Sequence, residues 1–424
     1  MSYLFNSVSI VGLGYIGLPT AAVIASHKVQ VAGVDINPSV TDLINQGKIH
    51  IVEPDLEQLV KAVVQEGYLS ASTEAHSADV FIISVPTPFK GEHTPDLSYV
   101  RSACETIAPV LKQGDLVILE STSPVGTTEK VSDWLAANRS DLKFPQYDRD
   151  VPDVFIAHCP ERVLPGRIIR ELVDNDRVIG GLTPSCSEKA AAFYQIFVKG
   201  ECILTDARTA EMTKLTENAF RDVNIAYANE LSLLCDKFNV DVWELISLAN
   251  RHPRVNILSP GPGVGGHCIA VDPWFLVSAA PDDARLIRCA REVNDSKPFW
   301  VMEQVKSACL DIAIQENRPI SEVCVACFGL TFKADIDDLR QSPSLRIVEE
   351  LDREGEYQLL AVEPHCDVVP NTLKNTTLVS SEQALEAADV CVLLVDHSEF
   401  KQLPITGIKS KAVVDLKGIW KAVS

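Results

Sequence analysis

The sequence predicts an α/β protein: a large, doubly wound α/β region, a helical middle, and a smaller α/β region at the end. Three observations carry this. Short, continuously apolar runs recur through the first two hundred residues, with helix-patterned stretches between them. A long segment without strong helix breakers begins at Ala207. The last hundred residues return to buried-strand runs. Strands alternating with helices predict a parallel sheet, because parallel neighbours need a crossover between them.

Taken in order, residues 7–13 (SVSIVGL) form a short apolar strand, followed by a helix over 15–27 and a second strand over 29–35 (VQVAGVD). Residues 39–46 and 55–66 carry helix patterns. ADVFIISV (78–85) and DLVILES (115–121) are continuous apolar runs, as in strands covered on both faces. Shorter strand runs follow at 154–159, 177–182 and 202–206. Beyond Ala207, Leu215, Ala219, Val223, Ala226, Leu231 and Leu234 share a helical stripe. The segment, to about Leu248, suits a connecting helix that also forms a subunit interface; the plainer reading is two helices with a turn. A loop rich in Pro and Gly, HPRVNILSPGPGVGGHC (252–268), precedes another helix over 283–312. VCVACFGL (323–330), YQLLAVEP (357–364), DVCVLLVD (389–396) and KAVVDL (411–416) are buried-strand runs, separated by helices at 344–352 and 382–387. The expected division is therefore 1–206, 207–315 and 316–424.

A chain of 424 residues exceeds what one hydrophobic core usually serves, so several domains are expected. The formal net charge of −20 argues against a nucleic-acid surface, which needs a basic excess. It leaves an anionic small molecule open, since a few local Arg and Lys residues can make a positive pocket. No stretch approaches the ~20 apolar residues of a membrane span. The start, MSYLFNSVSIVGLG, lacks a basic region followed by a long apolar run, so no signal peptide is expected and the expected location is the cytoplasm. Cys324, Cys327 and Cys391 lie inside apolar runs and read as small buried hydrophobes in a reduced compartment. The Cys324-x-x-Cys327 pair has no second pair, so packing is expected there and no metal site.

Gly12-Leu-Gly14-Tyr-Ile-Gly17 follows the first strand and opens the first helix. In that context Gly12 permits the tight turn, Gly14 lets the backbone approach a pyrophosphate, and Gly17 allows close helix–strand packing. The helix N-terminus then faces the phosphates. Asp35, at the end of the second strand, can accept from a ribose 2′-OH and would repel a 2′-phosphate, which favours NAD over NADP. Thr87 and Thr122 stand at strand C-termini, where ligands bind in open α/β sheets; each alone also suits a turn or helix cap.

Cys268 follows Gly265 and Gly266 in a polar loop, unlike the strand cysteines. The glycines permit unusual backbone angles and close ligand approach, and a thiolate there is a nucleophile toward an aldehyde; the plainer reading is an ordinary loop thiol. Asp272, four residues on, can orient water or serve as a turn residue before Pro273. Lys214 and Asn218 share a helix face and can hold a sugar hydroxyl or an oxyanion, or simply be solvated. Glu161 can act as a general base and Arg162 can bind phosphate; the alternative is a surface ion pair. Lys333 and Arg340, in FKADIDDLR, follow the first strand of the last region. They can reach a diphosphate, or be plain surface charge. No GxGxxG opens that region, so a second NAD is not expected.

Together, GLGYIG, VDIN, ESTSPVGTTEK, CPERVLPG, MTKLTENAFRDVN, PGPGVGGHC and FGLTFKADIDDLRQSP resemble, in order, the motifs of the UDP-glucose/UDP-mannuronate dehydrogenase family. CPERVLPG, and Arg221 after NAF, resemble its N-acetylmannosamine branch. The resemblance implies two Rossmann-like domains joined by a long central helix and helical middle domain, assembled as a homodimer or higher homo-oligomer. It implies NAD on the first domain, UDP on the last, and a UDP-sugar oxidised at C6 to a carboxylate through a thiohemiacetal and thioester on Cys268. Lys214 would act in proton transfer or stabilise the oxyanion. Thr122, Glu161, Asn218 and Asp272 would position substrate and water, with either Glu161 or a water held by Thr122 and Asp272 as base. Tyr15, Ile16, Asp35, Thr87, Thr127 or Thr128, and Arg340 would contact NAD. Arg162, Val163, Lys214, Asn218, Arg221, Gly265 and Lys333 would contact the nucleotide sugar, and His252 and Arg254 would enter a neighbouring subunit's site. The implied product is UDP-N-acetylmannosaminuronate for a surface polysaccharide such as enterobacterial common antigen or a capsule.

Three other readings compete. The same chemistry can act on UDP-glucose or another UDP-N-acetylhexosamine. A two-electron hydroxyacid dehydrogenase would not need Cys268. A non-catalytic nucleotide sensor would not need Cys268, Lys214 and Glu161 together.

Overall fold

The computed structural model describes residues 5–91, 93–145, 152–164, 166–266, 268–366, 368, 370–403, 408 and 411–420. The first four residues of the leader-free N-terminus expected above lie outside them. The chain forms two compact units, Met1–Glu217 and Asn218–Ser424.

Among its described residues the first unit contains ten strands: β1 Ser7–Val11, β2 Gln30–Val34, β3 Leu69–Ser72, β4 Val80–Ile83, β5 Phe89–Lys90, β6 Thr94–Pro95, β7 Leu116–Leu119, β8 Phe155–His158, β9 Arg177–Gly181 and β10 Cys202–Asp206. Eight form one sheet in the order β10-β9-β8-β7-β4-β1-β2-β3, and β5 and β6 make a small hairpin. β1 sits between β2 and β4, with Val11 opposite Val34 and Ile83. Every side chain of VFII in β4 and LVIL in β7 is buried, because helices cover both faces of the sheet.

The expectation of an all-parallel sheet needs one correction: β9 runs antiparallel to β8, with Ala157 opposite Gly181 and His158 opposite Gly180. β10 is parallel to β9. An apolar run signals a buried strand and carries no direction. At Gly180 an added Cβ would lie 2.4 Å from the Asp206 carbonyl oxygen, so this pairing needs glycine.

The long helical segment follows the plainer of the two readings, two helices with a turn. One helix runs Ala207–Phe238; Asn239 then adopts a left-handed φ of 55°, and Asp241 caps a second helix, Val242–Ala249, by accepting from the Trp243 and Glu244 amides. The helix expected over 283–312 is Arg285–Glu316, with Pro298 inside it.

The second unit carries a five-stranded parallel sheet: β11 Cys324–Phe328, β12 Gln358–Val362, β13 Thr377–Leu378, β14 Val390–Leu393 and β15 Ala412–Asp415, in the order β13-β12-β11-β14-β15. Val325, Cys327, Val390 and Val392 pack with Val301, Val305 and Cys309 of the Pro298 helix in one core. Ala326, Phe328 and Cys391 pack with Phe400 and Trp420 in another. Cys327 belongs to the first of these cores, and Cys324, at the start of β11, is buried. No described helix is long and apolar enough to cross a membrane.

Candidate active site

In the first unit, the glycine loop joins β1 to the helix Gly17–Ser26. Gly12 has φ +95°, and an added Cβ would lie 2.3 Å from the Ser84 carbonyl oxygen. At Gly17 an added Cβ would lie 1.8 Å from the Gly12 carbonyl oxygen, so the turn closes on itself only with glycine at both places. Gly14 is exposed, and nothing lies within 4 Å of its would-be Cβ: open space for a group to come against the backbone. The helix has no side-chain N-cap, which leaves its first amides for an anion. Asp35 faces this loop. Its carboxylate accepts from the Leu13 amide at 3.0 Å and the Asn37 amide at 2.9 Å, and remaining lone pairs suit a diol. Tyr15 and Ile16 are half-buried beside it. These residues fit a dinucleotide.

The structure brings Thr87 and Thr122 together at the ends of β4 and β7: the Thr87 hydroxyl donates to the Thr122 carbonyl at 2.6 Å. Thr127 and Thr128 are buried, and their hydroxyls donate inward, to the Pro124 carbonyl and to Glu211. Glu211, on the long helix, also accepts from the Gly126 and Thr128 amides and so caps the helix Thr127–Asn138.

Glu161 and Arg162 do not make the surface pair that adjacent charges suggest. Glu161 is buried. It accepts from Arg177 at 2.6 Å and from the Arg162 amide at 2.7 Å. The Arg162 guanidinium turns instead to Glu217, at 2.6 and 3.1 Å. Val163 and Lys214 are half-buried, and no hydrogen-bond partner of the Lys214 amine occurs among the described residues. Near Glu161 lies Glu120, fully enclosed, one oxygen accepting from Tyr194 at 3.3 Å and the other without a partner. Burial first, and the charge of Glu161 second, push its carboxyl up from 4.5 to about 8. The neutral acid is therefore favoured in the fold. Its contribution is full below the unfolded value near 4.5 and is lost as pH climbs through about 8. Glu120→Gln, uncharged at every pH, is expected to gain thermal stability over the wild type progressively from pH 5 to pH 9. Melting temperatures that stay parallel across that range would rule this out.

In the second unit, Cys268 is exposed, one turn ahead of the helix Asp272–Ala279. Its carbonyl accepts from the Val271 amide at 3.1 Å and the Asp272 amide at 2.8 Å. Asp272, buried, accepts from the Asn218 side-chain amide, so Cys268, Asp272 and Asn218 form one cluster. The preceding glycines are packed against the loop that carries Lys333 and Arg340. An added Cβ at Gly265 would lie 2.5 Å from Phe332 Cβ and 2.8 Å from the Gln341 carbonyl oxygen, and the Gly266 amide donates to the Arg340 carbonyl at 3.2 Å. Arg340 itself pairs with Asp338 at 2.6 Å. Lys333, Arg221, His252 and Arg254 are exposed.

A second support for this loop has no counterpart in the sequence reading. Asp222 and Arg291, both buried, pair at 2.7 Å; Asn294 donates to Asp222, Asn229 donates to Asn294, and Asn229 accepts from the Gly261 amide at 2.9 Å.

Models of one family match most of the chain: its NAD binding domain over residues 6–198, its central domain over 208–296 and its UDP binding domain over 326–422. An NDP-N-acetyl-D-galactosaminuronic acid dehydrogenase of Ralstonia nicotianae is 60% identical over 418 residues, 99% of this chain and 97% of that protein. A UDP-N-acetyl-D-mannosamine dehydrogenase of Escherichia coli is 59% identical, covering 98% of this chain and all of that protein. The solved structure of a UDP-D-ManNAc dehydrogenase from Pyrococcus horikoshii matches with a TM-score of 0.85 at 41% identity, over 97% of this chain and 96% of that one. Residues 6–198 are accordingly an NAD binding domain, and the chain belongs to the UDP-glucose/GDP-mannose dehydrogenase family.

Proposed function

We propose that this protein oxidises the C6 alcohol of UDP-N-acetyl-D-mannosamine to the carboxylate through a thiohemiacetal and a thioester on Cys268. The observation that carries the reading is the exposed Cys268, which lies in the chain between a closely packed glycine pair and Asp272, whose carboxylate accepts from Asn218. NAD+, when bound, supplies the hydride acceptor, two equivalents per sugar. The Cys268 thiolate adds to the aldehyde carbon of the half-oxidised sugar. After the second oxidation, water cleaves the thioester and the thiolate leaves. The alcohol, two NAD+ and one water give the carboxylate, two NADH and three protons.

The Lys214 amine, without a protein partner among the described residues, suits an oxyanion or a proton transfer. Glu161 is the carboxylate of the first unit suited to a base, and Asp272 that of the second. Residues 1–206 would hold NAD, 207–315 the nucleophile's loop and 316–424 the UDP moiety. Phe220, Tyr227, Leu234 and Phe238 are exposed on one face of the long helix, which supports a homodimer or higher homo-oligomer. The chemistry suits a cytoplasmic supplier of a uronic acid nucleotide for a surface polysaccharide. The Ralstonia relative favours a second reading, in which another N-acetylhexosamine is the sugar.

The test is NADH formed per mole of sugar consumed, with UDP-N-acetyl-D-mannosamine beside UDP-N-acetylgalactosamine, UDP-N-acetylglucosamine and UDP-glucose. Two NADH with the first substrate are expected. One NADH would end the thioester route, and turnover with only another sugar would replace the substrate.

A further inference from the structure

The loop Leu330–Arg340 of the UDP binding segment is anchored by two buried residues with no place in the chemistry above, His397 and Glu363. One Glu363 oxygen accepts from the Leu330 amide at 2.7 Å and the Thr331 amide at 3.1 Å; the other accepts from the His365 amide. His397 Nδ1 accepts from the Asp335 amide at 2.9 Å. That bond requires a lone pair on Nδ1, so the ring proton is on Nε2, which faces Glu363 and the Thr331 hydroxyl, each at 3.3 Å. The Thr331 hydroxyl in turn donates to the Lys333 carbonyl at 2.9 Å. Donors and acceptors thus match around the whole group. Phe400 packs edge-on to the imidazole, 5.2 Å between centroids.

The anchored segment needs holding. Asp335 has a left-handed φ of 59°, which a non-glycine residue rarely adopts. Its carboxylate accepts from the Ser398 amide and hydroxyl, one residue beyond His397. Asp335, His365 and His397 also bring three potential metal-binding atoms within 4.8 Å of one another. The Nδ1 lone pair is already engaged by the Asp335 amide, so the geometry favours an anchor over a cation site.

We propose that His397, with Glu363, is a positioning residue that sets the shape of the Lys333 loop for the nucleotide diphosphate. The proposal rests on the reading of Lys333 as a nucleotide-sugar contact. It follows from connectivity: His397 and Glu363 bind the backbone on both sides of Lys333, while Lys333 projects from the loop they shape. The same loop packs on Gly265 and Gly266, so its shape also bears on the Cys268 loop.

The experiment titrates the full-length enzyme with UDP by calorimetry and measures steady-state kinetics for the sugar and for NAD. His397→Leu removes both ring bonds. Glu363→Gln keeps size but turns an NH2 toward amide donors. Each is expected to weaken UDP binding, and raise KM for the UDP-sugar, about tenfold or more, with KM for NAD unchanged. His397→Asn, which restores the acceptor for the Asp335 amide, is expected to recover to within about threefold of wild type. Should His397→Leu not fold, Glu363→Gln and Thr331→Val carry the test. UDP affinity and sugar KM within about twofold of wild type in the folded variants would overturn the proposal, even with a lowered melting temperature. A wild type that binds UDP but oxidises no UDP-sugar would refute the functional reading while leaving the anchor to be judged by UDP affinity. A wild type that binds no UDP would overturn both.

Discussion

Cys268→Ser is expected to lower the rate of acid formation on the order of 10³-fold or more, with at most one NADH per sugar. The argument begins with the thiol's setting. Ten of the chain's twelve cysteines are buried or half-buried, where their work is volume, and Cys289 is exposed on a helix; Cys268 is exposed on a glycine-flanked turn. Serine keeps the size and can hydrogen-bond, but its hydroxyl is un-ionised at neutral pH and attacks an aldehyde poorly without an added base. The first oxidation needs no covalent bond to the protein, so a single equivalent of NADH remains possible. The second needs the hemiacetal. A trapping reagent such as hydroxylamine should therefore capture a sugar aldehyde from the variant and little from the wild type. Two NADH per sugar at a rate near wild type would defeat the covalent route. The fold should be untouched, because the thiol is exposed and the bonds that fix the turn are made by the Cys268 carbonyl with the Val271 and Asp272 amides.

The parts legible in the sequence were those written in local pattern. Apolar runs such as VFII and LVIL marked β4 and β7, and GLGYIG marked the cofactor turn, because a tight turn leaves few residue choices. Cys268 stood out through its adjacent glycines, whereas Asp272 by itself suited a turn before Pro273. The antiparallel β9 was not legible, since strand direction depends on what lies beside it. Nor was the helix Ser98–Ile107, whose buried Val100, Ala103, Cys104 and Ile107 keep a helical spacing within a polar stretch. The inward-facing Thr128 hydroxyl, the Asp222–Arg291 pair and the His397–Glu363 anchor join residues dozens of positions apart. Partners at that separation leave no local pattern.

The largest stability loss is expected from such a partner. Arg177 begins β9 and is 2% exposed; Glu161, its partner, is 7% exposed. A second Arg177 nitrogen donates to the Leu172 carbonyl at 3.0 Å, and the guanidinium lies over the Tyr194 ring, 5.5 Å from its centroid. Arg177→Met keeps much of the volume and removes the charge. Glu161 is then a buried carboxylate whose remaining neighbours include Glu120, an acid already favoured in its neutral form. Breaking one side of a buried pair typically costs about 3–5 kcal/mol, because the charge left behind has no compensation. Chemical denaturation of Arg177→Met should show a loss of that order, and activity should fall with it if Glu161 acts as a base. The double variant Arg177→Met/Glu161→Gln removes the orphaned charge. It is expected to regain much of the stability and none of the activity, which separates the structural use of the pair from its chemical one. A single variant within about 1 kcal/mol of wild type would mean that water reaches Glu161 and screens it, against the burial on which its proposed role as a base depends.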